Sequence, residues 1–409
     1  MYNEGLFNEL LNIAKFARKS AWFGYMPVVD ADPIDFCKGT NYRVSADIHG
    51  KYDLVWLYEN SLLHNSNWPL ILDESIRLFS ESGLLIIRFK ESAFGTVFAL
   101  KQHIGRSILW KAEVIIQSLL KDGSIVLVVK INRLNYEEKS DKSWSIGVLS
   151  NGLKPKNVIH LFDSISEQIT EQNVEYIVAG PRIDGLSKYN VIYVSEYFQD
   201  DLPRISQKKN EIIDASKNVN IAIFHDRYFV NEGFFEGFEK FGYDFEYVTV
   251  RQNYESGEAF PSYTGFLTRE YKWQNPCFVS EFDHLMVGAF LNGGLIVLKN
   301  KLAKQLKFNH LLLHNEAEDV EFAWQLRLNG VIPRINALSS ATTLGLVSSY
   351  TNTFVKFPIN TNLSITTFRL NSNTDKLIIL VWKIIPVKLK MIIGQSKFYE
   401  KAKRKFFDR

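Results

Sequence analysis

Three short clusters in the middle of this 409-residue chain have residue types that could do chemistry. The first is His225-Asp226-Arg227, which closes an apolar run over residues 219–224. A carboxylate at the end of a buried strand can hold a divalent ion against a diphosphate, and the ion offsets the charge on the leaving group. The competing reading is a turn aspartate that caps the next helix, expected over residues 234–241. The second cluster is Asn292-Gly293-Gly294, just ahead of an apolar run over 295–298. Two glycines allow backbone to approach a ligand closely, although an ordinary tight turn has the same look. The third is the stretch 315–321, NEAEDVE. Asn315 and Glu318 have capping-box spacing, and Asp319 falls in a first helical turn where the helix dipole favours a carboxylate. A well-capped helix would read this way. The chemical reading has Asp319 or Glu318 facing a cleft as general base for a hydroxyl.

The elements that must position these clusters form an α/β series. Residues 144–150 read as an opening strand and 156–170 as a helix, with Val158, Leu161, Phe162, Ile165 and Ile169 on one face. Residues 174–179 are a strand closed by Gly180-Pro181, 191–195 a short strand, and 205–217 a helix. The run 219–224 then delivers His225. This alternation predicts a mostly parallel sheet with ligands beyond the carboxyl ends of its strands. Residues 251–282 lose regularity and become aromatic, as an ordered functional loop would. The helix that begins at Glu318 is expected to run through Val320, Ala323, Trp324 and Leu328 and to stop at Asn329-Gly330.

The order of these motifs resembles glycosyltransferase family 2 and its GT-A relatives over about 200 residues. The matching pieces are the opening strand, the loop Ala179 to Asp184, the basic-Asn signature Ser206-Gln-Lys-Lys-Asn210, the strand ending at Asp226, Gly293-Gly294, Glu318-Asp319, and Arg327 to Gly330. The resemblance implies transfer of a sugar from a nucleotide-diphosphate donor, with inversion. It implies Asp319, with Glu318 beside it, as the base, and Asp226 with His225 as ligands of Mn²⁺ or Mg²⁺. It implies Ser150, Gly180, Asp184, Lys209, Asn210, Gly293 and Gly294 on the donor side, with Lys209 near the diphosphate and Asp184 near the nucleoside. The sequence departs from the family pattern where His225 and Arg227 flank a single aspartate, and where Gly180-Pro181 stands in place of an early Asp.

Ahead of this domain, residues 52–58, 69–79 and 84–89 read as strand, helix and strand, with Ser82-Gly83 ending the helix. A second helix is expected around 108–120, then a turn at Asp122-Gly123 and a strand over 124–130. These elements resemble the later half of a class I methyltransferase. Nothing before Asp53 reads as a strand followed by G-x-G, so the resemblance implies a truncated, non-catalytic relative. The polar stretch 135–143 reads as a linker. The domains are therefore 1–143, 144–345 and a C-terminal extension, 346–409. In the extension, residues 377–393 are apolar but broken by Lys383, Pro386, Lys388 and Lys390, and basic residues follow from Lys397. This pattern reads as an interfacial helix on an anionic membrane or as a helix docked on the protein.

Composition bounds the rest. Hydrophobic residues make up 46% and charged residues 23%, ordinary values for a globular protein. A net charge of +3 does not suggest nucleic-acid binding. Two cysteines, Cys37 and Cys277, make neither a metal site nor a disulfide framework and point to a reducing compartment. No secretory signal or spanning helix is read. The expectation is a cytoplasmic or inner-membrane-face transferase of bacterial surface polysaccharide assembly, acting on a glycan or lipid-linked acceptor. A non-catalytic scaffold built of degenerate enzyme folds is the alternative. It requires that His225, Asp226 and Asp319 do not share a cleft.

Overall fold

A computed structural model describes residues 4–356 apart from 25–26, 38, 60, 135, 170–171, 198–201, 267–276, 279–283, 286 and 354. The segment 377–393 and the basic end after it lie outside the described residues. All described residues fall in one unit, Met1–Asn360.

The first sheet contains β1 (Ser20–Phe23), β2 (Asp32–Ile34), β3 (Tyr52–Leu57), β4 (Phe79–Phe89), β5 (Trp110–Leu119) and β6 (Ile125–Arg133). Their spatial order is β2-β1-β3-β4-β6-β5. The first four run parallel, and β6 is antiparallel to β4 and β5. Alternate residues of β3 enter different cores. Leu54 and Trp56 pack with Leu6 and Leu10 of α1 (Glu4–Lys15), whereas Val55 and Leu57 pack beneath α2 (Trp68–Arg77) and α3 (Val97–Arg106).

Two expectations are corrected in this region. The stretch 108–120 is not a helix, because residues 110–119 form β5. Its Trp110, Val114, Ile115 and Ile116 favour extended chain, and the turn at Gly123 (φ +78°) folds it onto β6. The helix lies earlier, at α3, whose N-terminus is capped by Thr96 accepting from the Ala99 amide at 3.2 Å. Ser82-Gly83 does not end a helix but lies inside β4, where a Cβ on Gly83 would stand 2.1 Å from the Phe79 ring. As expected, no strand before Asp53 is followed by G-x-G, although β1 and β2 precede it. They are four and three residues long, too short to show a period. Gly24 follows β1, but the G-x-G is absent.

The second sheet contains β7 (Trp144–Leu149), β8 (Val174–Ala179), β9 (Ile192–Val194), β10 (Asn220–His225), β11 (Tyr228–Val230) and β12 (Tyr247–Tyr254). After β13 (Tyr263–Phe266), β14 (Cys277–Phe278) and β15 (Val287–Leu291), the chain returns to it with β16 (Leu295–Lys299) and β17 (Arg334–Thr343). The order is β11-β17-β12-β16-β10-β7-β8-β9. As expected, β10, β7, β8 and β9 are parallel, while β16 runs antiparallel between β10 and β12. β13, β14, β15 and β18 (Val355–Lys356) make a small third sheet. The described part of the stretch 251–282 is less irregular than its composition suggests, since β12 extends to Tyr254 and β13 and β14 pair within it.

Helices cover both faces of the second sheet. α4 (Pro155–Ser166) and α6 (Phe234–Phe241) pack against Ile146, Val148, Ala222 and Phe224. α5 (Ile205–Ala215), α7 (Asn300–Gln305) and α8 (Glu318–Leu328) pack against Ile221, Ile223, Ile296 and Leu298. Gly147 sets the height of α5, because a Cβ there would lie 2.2 Å from Ile212 Cγ2. That close approach matters for the site, since α5 carries two buried lysines.

The two large sheets are joined by buried ion pairs. Arg334 Nη2 donates to Asp73 Oδ2 at 2.8 Å across the junction, and within the first half Arg43 Nη1 donates to Glu74 Oε2 at 3.1 Å. Arg77 Nη1 and Arg133 Nη2 donate to Asp244 Oδ1 at 2.8 and 2.7 Å. Arg43 also donates to the carbonyls of Phe241 and Asp244. Although burial opposes it, the surrounding cations hold the Glu74 and Asp244 carboxyls far below the usual carboxylate range. The stretch 135–143 is not a free linker either. Lys299 Nζ donates to Glu138 O at 3.1 Å and Asn220 Nδ2 to Asp141 O at 2.9 Å.

Candidate active site

The chain leaves β7 toward β8 and β9 on one side and later returns to β10 on the other. In an open α/β sheet such a reversal opens a crevice at the carboxyl ends of the two central strands. Ser150 follows β7 and Asp226 follows β10, and Ser150 Oγ donates to Asp226 Oδ2 at 3.2 Å. The Asp226 amide donates to Leu149 O at 3.1 Å, and Asn157 Nδ2 holds the Asp226 carbonyl at 3.1 Å. Burial pushes the Asp226 carboxyl up, against the opposing pull of Lys154 and Ser150. The helix-capping reading of Asp226 fails. β11 intervenes, and the N-cap of α6 is Gly233. Gly180 serves this floor by close packing, since a Cβ there would stand 2.1 Å from Ser150 O.

The opposite wall is built by α5, the Gly293-Gly294 turn and α8. Lys208 and Lys209, adjacent on α5, are both buried and reach different partners. Lys208 Nζ donates to Ser150 O at 3.0 Å, and Lys209 Nζ to Glu318 Oε1 at 3.1 Å. A Cβ on Gly293 would meet Lys209 Nζ at 2.8 Å, Glu318 Oε1 at 2.9 Å and Asp319 Cβ at 3.2 Å. Only a glycine fits at this junction without a shift. The expected capping box does not form. Ala317 is the N-cap, with no side-chain cap, and the Glu318 carboxylate is spent on Lys209.

Asp319 is held by backbone. The Gly293 amide donates to its Oδ2 at 3.0 Å and the Val320 amide to its Oδ1 at 2.9 Å. Each oxygen keeps a second lone pair. Burial, with Glu318 adding to it, pushes the Asp319 carboxyl up to about 6, against the pull of Lys209 and the two amides. A carboxylate that titrates near neutrality is suited to general-base work.

The two walls meet at Gly294. The His225 amide donates to Gly294 O at 2.9 Å, and a Cβ on Gly294 would lie 3.1 Å from Arg227 Nη2. Two hydrogen bonds and two residues of chain therefore link the Asp319 carboxylate to the His225 amide, a span of no more than roughly 13 Å.

His225 Nε2 and Arg227 Nε are buried without a protein hydrogen-bond partner. Burial, then Arg227, Lys209, His314 and Lys154, hold the His225 imidazole well below its ordinary value and so neutral. Among the described residues no group of three or more His, Cys, Asp or Glu side chains could hold a metal ion. Asp226 and His225 supply a carboxylate and a neutral imidazole, side-chain types that ligate divalent ions, with the cations Lys154 and Arg227 close to both.

Of the residues singled out in the sequence, Ser150, Lys209, His225, Asp226, Gly293, Gly294, Glu318 and Asp319 lie around this crevice, with Gly180 packed beneath Ser150. Asn210 does not join them in the way expected. It spends both ends of its amide on the Phe308 backbone, at 2.8 and 2.9 Å, and so braces the segment before α8. Asp184 is exposed in the loop after β8. Asn157 escaped the sequence reading, and Lys208 was read only as part of the basic-Asn signature, with no role of its own. Their contacts span 69 and 58 residues and leave no local pattern.

No protein-family model matches the chain, and no curated protein is similar to it. Among solved structures, it is similar to S. aureus TarS 1-349, at 12% identity and a TM-score of 0.34, over 49% of this chain and 60% of that one. The same fragment in complex with UDP-GlcNAc aligns at 13% identity and a TM-score of 0.34, over 50% and 60% of the two chains. GalNAc-T7 with UDP, GalNAc and Mn²⁺ aligns at 8% identity and a TM-score of 0.38, over 53% and 46%. These neighbours are glycosyltransferases, and the chain spans less than two thirds of their lengths.

Proposed function

We propose that the protein transfers a glycosyl group from a nucleotide-diphosphate sugar to an acceptor hydroxyl, with inversion. The observation that carries this reading is the Asp319 carboxylate. It is anchored on the Gly293 amide and raised to about 6, and it sits beside a buried Lys209–Glu318 pair at a strand-end crevice. In this reading Asp319 accepts the acceptor's proton as its oxygen bonds to the sugar carbon. The bond from that carbon to the diphosphate breaks on the opposite side, and the nucleoside diphosphate leaves with the electron pair. Lys209 is a fixed cation at the developing charge, and Glu318 orients it. Ser150, at the end of β7, positions the donor. A divalent ion held by Asp226 and His225 together with the donor phosphates would offset the leaving-group charge. A role in surface polysaccharide assembly at the cytoplasmic face of a membrane belongs to the same proposal and rests on the sequence alone.

The test is nucleotide release from a panel of uridine-, guanosine- and thymidine-diphosphate sugars, with Mn²⁺ or Mg²⁺. Release from at least one donor is expected. No release and no binding of any donor would overturn the reading.

A further inference from the structure

A cavity of about 460 Å³ lies between the two halves of the chain, away from the diphosphate floor. Its size is within the range of small-ligand sites, which favour such junctions. One side is the stripe Ala99, Gln102, His103 and Arg106 of α3, and the other is the stripe Val320, Trp324, Arg327 and Leu328 of α8. Both sets recur at helical spacing. The C-terminal ends of the two helices touch. The Ile108 amide donates to Asn329 O at 3.0 Å, and a Cβ on Gly330 would stand 2.7 Å from Ser107 Cα. From that closed end the cavity follows α8 back to Val320, the residue after Asp319. Eight residues of helix give it a run of ~12 Å.

Its lining is chemically uneven. Trp324 is 56% exposed, unusual for so large an apolar side chain on a helix whose other face is core. Trp68 lies across from it. Arg106 and Arg327 both line the cavity, and none of its described lining residues is acidic. His103 Nε2 is buried with no protein hydrogen-bond partner. Burial lowers the His103 imidazole to about 4, so it is neutral at ordinary pH and can pair with a hydroxyl.

We infer that this cavity is the acceptor site, and that it takes a glycan bearing carboxylate groups. A sugar ring stacks on Trp324, the guanidinium of Arg106 meets a carboxylate, and the reactive hydroxyl emerges beside Asp319. The first half of the chain thereby supplies α3 as one wall of a two-part active site. The inference rests on the glycosyl-transfer reading and can fail separately from it.

The experiment uses the full chain and two probes of equal length, tetragalacturonate and maltotetraose, titrated by calorimetry at low and high salt. Tetragalacturonate is expected to bind at least tenfold more tightly than maltotetraose, with the margin shrinking in salt. Trp324→Ala and Arg106→Gln are each expected to weaken it at least tenfold, and Trp324→Phe to restore most of the first loss. Arg106 also sits in the last turn of α3, where it offsets the helix dipole. Thermal unfolding of each variant is therefore recorded, and affinity lost with the midpoint unchanged assigns the effect to the ligand. Failure of tetragalacturonate to bind, or binding indifferent to both substitutions, would overturn the inference. Donor turnover by the wild type, measured without any glycan, reports on the glycosyl-transfer reading alone.

Discussion

Replacing Asp319 by Asn should abolish activity and stabilise the fold at the same time. In the folded protein the carboxyl titrates near 6 instead of 3.8. The folded value is the higher one, so the fold favours the protonated form. Stability from this group is present at low pH and is lost as pH rises from about 4 to about 6. The difference corresponds to roughly 3 kcal/mol at neutral pH. Asparagine removes the buried charge but presents one oxygen to two backbone donors, Gly293 and Val320. The amide left facing an NH₂ group costs roughly 1–2 kcal/mol. The net expectation is a gain of roughly 1–2 kcal/mol for Asp319→Asn at pH 7.5 and none at pH 4.5, where the wild-type carboxyl is already protonated. Guanidinium unfolding at the two pH values measures this. The turnover rate should fall by at least ~100-fold, and the wild-type rate should decline below a pH of about 6. A variant less stable than wild type at pH 7.5, or a rate profile flat through pH 6, would refute the reasoning.

Other consequences follow from the same geometry. Gly293→Ala should lower turnover at least ~10-fold with the fold retained, because the new Cβ drives Lys209 and Glu318 apart; steady-state kinetics with circular dichroism checks it. Arg334→Met should destabilise the chain by roughly 3–5 kcal/mol by leaving Asp73 buried without its main partner from the other half, read by denaturant unfolding. Burial depresses His103 to about 4, so stability from this residue is present above the ordinary imidazole value and is lost as pH falls from about 6.5 toward 4; His103→Gln should flatten that part of the pH–stability curve. Asp226→Asn should raise the Mn²⁺ concentration needed for half-maximal turnover at least ~10-fold, as metal titration would show.

Most of the second sheet was legible in the sequence because its strands are buried on both faces. Residues 144–150 and 174–179 are apolar runs bounded by polar residues, and β8 and α6 fall where their periods place them. The first half was harder to read. β5 is a largely exposed strand, so its alternation carries little signal, and the length of the stretch 108–120 favours a helix. The candidate site was legible as residue types but not as roles. Asn315 and Glu318 have the spacing of a capping box, yet a lysine 109 residues earlier in the chain claims the glutamate. Asn210 belongs to a recognisable signature, yet its amide is committed to the Phe308 backbone. The ion-pair seam between the halves gives no local pattern, since Asp73 and Arg334 lie 261 residues apart.

The most direct test of the central claim is a crystal structure of the full chain soaked with a hydrolysis-resistant phosphonate analogue of whichever donor is turned over. A diphosphate is expected between the Ser150–Asp226 floor and the Gly293-Gly294 turn, with the sugar carbon facing Asp319. A donor bound elsewhere, or one whose sugar carbon points away from Asp319, would contradict that claim.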